Sequence, residues 1–317
     1  MMTSFKNKIL VTGGAGFVGS TMVDKLIENP DNFVLILDNL STGNISRLPA
    51  NNPLGNWKFV KCDVNSYRDI AAIMTSYNFD YVFHYAAVVG VKRTLDNPVS
   101  VLNDINGFKY VLDLSKNTGI KRIFFSSSSE VYGEPFEHPQ NEMTTPLNSR
   151  LPYAVVKNVG ESFLKSYKQE FDLDYTIFRF FNTYGPKQSS DFVMTRFIKA
   201  ALDNKPITVY GDGSQTRTFC YRDDNVEACV RTLYDSLHVN DTVNIGSDFE
   251  ISVIDLAKLI IKITNSKSEV IHLPALTEGD MTRRKPDIAK MHALLNRPMT
   301  TLEEGIRKTI ESGLYNF

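Results

Sequence analysis

The chain has 317 residues, 42% hydrophobic and 22% charged, the balance of a globular protein long enough to bury a sizeable core. Lys plus Arg is 35 against 36 for Asp plus Glu, so the formal net charge is −1. That excludes the overall basic character by which a protein grips nucleic acid or an anionic membrane. No apolar run approaches the roughly 18 residues of a membrane span. Residues 1–10 lack the apolar core and cleavage site of a secretion signal, so a cytoplasmic location is expected. The length suits one large domain or two modest ones, at roughly 100–200 residues each. Cys62, Cys220 and Cys229 are odd in number and form no CxxC pair. They read as buried free thiols, and no metal site is expected.

The first two-thirds alternates short apolar runs with longer amphipathic stretches. Lys8–Val11, Phe33–Leu37, Trp57–Lys61, Tyr81–His84, Arg122–Phe125 and Tyr175–Phe180 read as strands, several continuously apolar as parallel strands covered on both faces should be. Val18–Glu28, Ser66–Ser76, Pro98–Thr118 and Tyr153–Phe171 read as helices, with Pro98 and Pro152 at helix starts and Gly119 at a helix end. Strand–helix alternation predicts an α/β fold with a doubly wound parallel sheet. Beyond about Asn182 the strand candidates shorten to Ile207–Tyr210, Thr242–Ile245 and Ser268–His272. Helices are expected at Asp191–Asp203, Asp223–Leu237, Ser252–Thr264 and Leu302–Ser312. This reads as a dinucleotide-binding domain over residues 1–181 and a smaller α/β lobe over 182–317, with a soft boundary and no repeat or low-complexity tract.

The first strand runs into Thr12-Gly13-Gly14-Ala15-Gly16-Phe17-Val18-Gly19. Glycines spaced GxxGxxG permit a tight turn, let a pyrophosphate approach bare backbone, and let the following helix pack closely on the sheet. The helix N-terminus then offers free N–H groups and partial positive charge. Asp38, at the end of the next strand and 19 residues after Gly19, is suited to adenosine ribose hydroxyls. No Arg follows it until Arg47, so NAD is favoured over NADP. Asp63 and Val64, after the third strand, are placed to frame the adenine.

After Arg122–Phe125 comes Ser126-Ser127-Ser128-Ser129-Glu130-Val131-Tyr132-Gly133, and later Tyr153-Ala154-Val155-Val156-Lys157. On a helix Tyr153 and Lys157 are i and i+4 and share a face. A Lys ammonium favours the phenolate of a neighbouring Tyr, which then takes a hydroxyl proton while hydride leaves the same carbon for nicotinamide. A serine at the sheet edge can orient that hydroxyl. Either motif alone is commonplace. Their order after a dinucleotide fingerprint is what carries the reading.

With TGGAGFVGS (12–20), DNLSTG (38–43), FHYAA (83–87), SSSSEVYG (126–133), YAVVK (153–157), FNTYGP (181–186), VYGDGSQTRTF (209–219) and RRKPDI (283–288), the chain resembles the extended short-chain dehydrogenase/reductases acting on nucleotide sugars. The resemblance covers nearly all of it. It implies a bound NAD and oxidation of the sugar at C4, with the hydride often returned. It assigns Gly13, Gly16, Phe17, Val18, Asp38, Asn39, Asp63, Val64 and Ala86 to the cofactor, which Tyr153 and Lys157 also approach. Tyr153 becomes the base, Lys157 its activator and Ser128 the hydroxyl-orienting residue. Ser129 and Asn182 become contacts of the sugar nucleotide, and Arg217 and Arg284 its anion ligands, as paired charged hydrogen bonds to phosphate suit. His84 reads as a packing residue.

The 4,6-dehydratases of this family carry Asp-Glu where this chain has Ser129-Glu130, and serine is a poor acid at neutral pH, so dehydration loses its donor. Ser-Glu before VYG, with GSQTR and RKPDI downstream, is most similar to UDP-glucuronate decarboxylases, in which Glu130 joins the catalytic set. YAVVK and AAVVGV (86–91) look more like epimerase-type members, and Lys187–Asp191 is shorter than in a decarboxylase. A nucleotide-sugar 4-epimerase, or a net C4 dehydrogenase or 4-ketoreductase on a UDP- or GDP-linked hexose or heptose, therefore stays open. A non-catalytic NAD-sensing module is a distant alternative. By the same analogy, the helices Pro98–Thr118 and Tyr153–Phe171 pair across a two-fold axis, making a homodimer.

Overall fold

The computed structural model describes residues 5–134, 136–274 and 283–315. The chain divides into two compact units. The first comprises the residues up to Val131, Ser149–Arg179 and Cys229–Val243; the second comprises Tyr132–Asn148, Phe180–Ala228 and the residues from Asn244 on.

The first unit is built on a seven-stranded sheet. In spatial order its strands are Asp241–Ile245, Asp174–Phe180, Arg122–Ser128, Tyr81–His84, Asn7–Thr12, Asn32–Asp38 and Trp57–Lys61. Asn7–Thr12 pairs in parallel with both Asn32–Asp38 (Leu10 beside Leu35) and Tyr81–His84 (Leu10 beside Val82). The order reverses between those two neighbours, and in such sheets ligands bind outside the carboxyl ends of the strands at that reversal. Ile9, Leu10, Val11 and Val34 through Leu37 are fully buried, which is why these strands read as continuous apolar runs. Helices Tyr67–Tyr77, Asp104–Thr118 and Pro152–Phe171 contribute Ile70, Met74, Phe108, Val111, Leu112 and Leu164 to one core with Leu10, Val82, Ile123 and Ile177. Each such side chain contributes about 1.5–3 kcal/mol of transfer free energy when fully buried. Residues 98–118, expected as one helix, form Pro98–Leu102 and Asp104–Thr118. The break is a tightened turn at Asn103, where Asn106 N–H returns to the Asn103 carbonyl at 3.0 Å.

Strand Asp241–Ile245, expected in the smaller lobe, instead extends the main sheet. The buried guanidinium of Arg122 explains why residues 229–243 belong there. It donates to Thr176 Oγ1 at 2.9 Å, to the Thr232 carbonyl at 3.0 Å and to the Leu237 carbonyl. Leaving those donors unpaired in the interior would be costly. The units thus differ from a single division at 181/182 in three segments, 132–148, 180–181 and 229–243.

In the second unit, Ile207–Tyr210 pairs in parallel with Val270–Leu273, Thr183–Tyr184 with Cys220–Tyr221, and Thr216–Thr218 pairs antiparallel with Glu250–Ser252. Helices Val193–Leu202, Val253–Thr264 and Leu302–Glu311 close a separate core around Phe197, Ile198, Val209, Leu256, Ile260 and Ile306. The last two helices begin at Ser252 and Thr301, whose side chains accept the Asp255 and Glu304 N–H groups, capping donors the helix cannot satisfy itself. The three cysteines are buried thiols outside any disulfide. Among the described residues no helix is long and apolar enough to cross a membrane, and none of the His, Cys, Asp and Glu form a metal-binding group.

Candidate active site and nucleotide-binding residues

The glycine loop sits at the strand-order reversal. Gly13 has φ +68°, and a Cβ there would stand 2.6 Å from Ala86 N; a Cβ on Gly19 would stand 2.2 Å from the Gly13 carbonyl oxygen. Both positions therefore need glycine for reasons of space, and Gly13 also for its backbone angle. Helix Phe17–Ile27 starts from Gly16 with no side-chain cap and no acidic residue in its first turn, so its own side chains do not offset the partial positive charge of its N-terminus. Phe17 and Val18 open that helix, half-buried. Asp38 is buried, and its carboxylate accepts Ala15 N–H at 3.0 Å and Leu40 N–H at 2.8 Å. It therefore pins the loop, and each oxygen retains a lone pair for a further donor. Asn39 caps its own turn at Ser41 N–H, 2.9 Å. Asp63 does the same at Asn65 N–H, 2.9 Å, while Val64 lies in the core. A bare-backbone cradle, an uncapped helix start and an acid at the next strand end fit an NAD pyrophosphate and ribose.

The candidate catalytic residues Ser128, Glu130, Tyr153 and Lys157 lie on strand Arg122–Ser128, the short 3₁₀ turn Ser129–Tyr132 and helix Pro152–Phe171. Gly160 brings the helix against the strand, since a Cβ there would stand 2.5 Å from the Phe125 ring. Lys157 Nζ lies 3.4 Å from Ser126 Oγ, 5.0 Å from the Phe125 ring centroid and 5.7 Å from that of Tyr153. Ser126 in turn donates to the His84 carbonyl at 3.2 Å. Burial lowers the Lys157 ammonium to about 8, with Asp104 opposing the shift. His84 is driven to about 3 by burial and then by Lys157, so it is neutral, and its Nδ1 pairs with Thr12 Oγ1 at 3.0 Å. Ser128 Oγ accepts Glu130 N–H at 3.2 Å, which fixes the turn, and Ser128 and Ser129 are both buried. Tyr153 is half-buried, and one carboxylate oxygen of Glu130, Oε2, is buried.

Three substrate candidates come together within the second unit. Arg217 lies on strand Thr216–Thr218, and an isolated parallel bridge between Thr216 and Arg283 puts Arg284 alongside it in register. Glu250 holds the bridge. It binds Arg283 Nε at 2.7 Å and Nη2 at 2.9 Å, and also Thr216 Oγ1. Asn182 donates to the Thr218 carbonyl at 3.0 Å and accepts Cys220 N–H at 2.9 Å, so it borders the same strand. Arg217 and Arg284 are both buried. Neighbouring backbone positions thus carry two arginines, a residue type suited to phosphate through paired charged hydrogen bonds.

Two supporting features escaped the sequence reading. Glu161, at i+4 from Lys157 and i+8 from Tyr153, is buried and accepts Arg179 Nε at 2.9 Å, Arg179 Nη2 at 2.7 Å and the Ser127 hydroxyl. It locks the helix that carries Tyr153 to two strands, and its place in the same stripe was the available signal. Asp104 faces Lys157 from another helix. No spacing rule links positions 53 residues apart in sequence.

The profile of the NAD dependent epimerase/dehydratase family matches residues 9–246. UDP-glucuronic acid decarboxylase 3 of Arabidopsis thaliana is 35% identical over 309 residues, covering 94% of this chain and 86% of the relative. UDP-N-acetyl-alpha-D-glucosaminuronate decarboxylase of Bacillus cytotoxicus is 32% identical over 323 residues, covering 96% and 97%. The crystal structure of Thermotoga maritima UDP-glucose 4-epimerase with UDP-glucose is similar at TM-score 0.90 and 33% identity, covering 96% of this chain and 97% of that one. The chain belongs to the NAD-dependent epimerase/dehydratase family, and it is an enzyme of the extended short-chain dehydrogenase/reductase type with NAD as its cofactor.

Proposed function

We propose that the protein oxidises C4 of a UDP-linked sugar and that its leading substrate is UDP-glucuronate, which it decarboxylates. NAD, held by the glycine loop Gly13–Gly16 and by Asp38, would supply the two-electron acceptor and hydride donor for the reaction at C4. Tyr153, ionised beside the Lys157 ammonium, accepts the C4 hydroxyl proton, and Ser128 orients that hydroxyl. Ser129, Asn182, Arg217 and Arg284 hold the nucleotide sugar, the arginines taking its anionic groups. Oxidation at C4 makes the sugar a β-keto acid. The C5–C6 bond then breaks, carbon dioxide leaves, and its electron pair passes into an enolate that is protonated at C5. Glu130 stands ready at that end of the sugar.

The observation that carries this reading is the Ser128–Ser129–Glu130 turn, with Glu130 N–H bound to Ser128 Oγ, in a chain whose Tyr153 and Lys157 lie on one helix face. The decarboxylase relatives add support. A second reading, 4-epimerisation, is favoured by the likeness to the Thermotoga maritima enzyme. The two share every step up to the 4-keto sugar. Incubation with UDP-glucuronate, UDP-glucose and their N-acetylated counterparts separates them. Loss of the mass of carbon dioxide from a uronate supports decarboxylation. A new isomer of unchanged mass refutes it in favour of epimerisation, and accumulation of NADH with a stable keto sugar refutes both. We also propose a homodimer, formed along helices Asp104–Thr118 and Pro152–Phe171; a monomer in sedimentation equilibrium would refute it.

A further inference from the structure

Lys157 is buried and charged at neutral pH only if something compensates the loss of water. Beside the Phe125 ring, four polar side chains face it from four elements: Ser126 on strand Arg122–Ser128, Tyr153 on its own helix, His84 on strand Tyr81–His84, and Asp104 on helix Asp104–Thr118. Ser126 and the neutral His84 bring no negative charge. Asp104 is held in place by its own partners. Its Oδ2 accepts Val88 N–H at 2.7 Å, and its Oδ1 accepts the Asn65 amide at 3.4 Å. Asp104, His84 and Lys157 line one small cleft of about 20 Å³ walled by Phe108 and Phe125, with Lys157 and His84 buried and Asp104 half-buried, so solvent screens the pair less than it would on the surface. Burial raises the Asp104 carboxyl above its ordinary value and Asp63 adds to that, while the Val88 N–H, the Lys157 ammonium and the Asn65 amide favour its ionised form.

We propose that Asp104 is a positioning residue for the proton transfer: its carboxylate, facing Lys157 across this cleft, keeps the lysine protonated, so that the proton lost by the Tyr153–Lys157 pair comes from the phenol. The proposal rests on the reading of Tyr153 as the base. A coupled pair loses protons as a unit, and the relative affinities of its two members decide which group is left ionised. Burial already brings Lys157 down to about 8. Without Asp104 it falls further, and the pair loses its proton from nitrogen, leaving a neutral phenol that cannot act as a base.

Asp104→Asn tests this, since the amide oxygen still accepts Val88 N–H while the charge is gone. The tyrosinate absorbance of the NAD-bound protein is titrated for wild type, Asp104→Asn and Tyr153→Phe. Burial pushes Tyr85, Tyr167, Tyr184 and Tyr221 above their ordinary range, so they stay protonated through the neutral region. The wild type is expected to show a near-neutral band that Tyr153→Phe lacks. In Asp104→Asn that band falls at least about threefold, its remainder moving to higher pH. The kcat for the sugar falls with it, while KM and NAD affinity stay within about twofold. A band of unchanged size and midpoint in Asp104→Asn refutes the role of Asp104 and leaves the base assignment standing. Absence of a Tyr153-dependent band from the wild type overturns the base assignment and the proposal with it.

Discussion

Replacing Gly13 by alanine isolates what the cofactor loop requires. Gly13 has φ +68°, and a left-handed backbone costs an L-residue about 1–2 kcal/mol. The added Cβ would also stand 2.6 Å from Ala86 N and 2.7 Å from the Tyr85 carbonyl carbon, where ordinary contact begins at 3.4 Å. Both neighbours are backbone, so no rotamer change relieves the clash and the loop itself must shift. A shift that breaks one backbone hydrogen bond to a charged phosphate loses about 1.5–3 kcal/mol, or roughly 10–150-fold in NAD affinity. Gly119→Ala is the matched control. Gly119 has φ +77° but open space where its Cβ would go, so that variant loses about 1–2 kcal/mol of stability and no NAD affinity. Calorimetric titration with NAD, paired with urea unfolding of the cofactor-free proteins, reads both quantities. If Gly13→Ala binds NAD within twofold of wild type and unfolds like Gly119→Ala, the close approach to Ala86 does not shape the site.

Arg179→Leu strands the buried Glu161 carboxylate and should cost about 3–5 kcal/mol in urea unfolding. Glu161→Leu/Arg179→Leu should recover much of that, and equal losses for single and double variants would contradict the reasoning. Tyr153→Phe should lower kcat by about 10²–10⁴ with NAD affinity retained; a loss under tenfold in single-turnover measurements assigns the base elsewhere. Glu250 is held near 2, below its ordinary 4.5, chiefly by its hydrogen bonds from Arg283. A depressed acid contributes stability above its unfolded value and loses it as pH falls through the folded one. Glu250→Gln should therefore unfold more easily than wild type above pH 4.5, with the gap closing toward pH 2. A gap that does not change with pH would mean the carboxylate charge contributes nothing.

The elements of the first unit were legible because their causes are local. Asn7–Thr12 and Asn32–Asp38 announce themselves as apolar runs, and the glycine spacing, Asp38 and the Tyr153–Lys157 pair each depend on short intervals along one element. Short pairings such as Thr216–Thr218 with Glu250–Ser252 were not legible, because two or three residues carry no periodicity and their partner lies more than thirty positions away. By itself the sequence determined the fold class, the glycine-rich turn and the helix face that bears Tyr153 and Lys157, since strand and helix periodicity and glycine stereochemistry are properties of neighbouring residues. Only the tertiary structure decided that Asp241–Ile245 joins the main sheet, that Arg217 and Arg284 occupy neighbouring backbone positions, and that Asp104 faces Lys157. Those depend on which distant groups satisfy one another's charge and hydrogen bonds once water is removed, and chain spacing does not encode that.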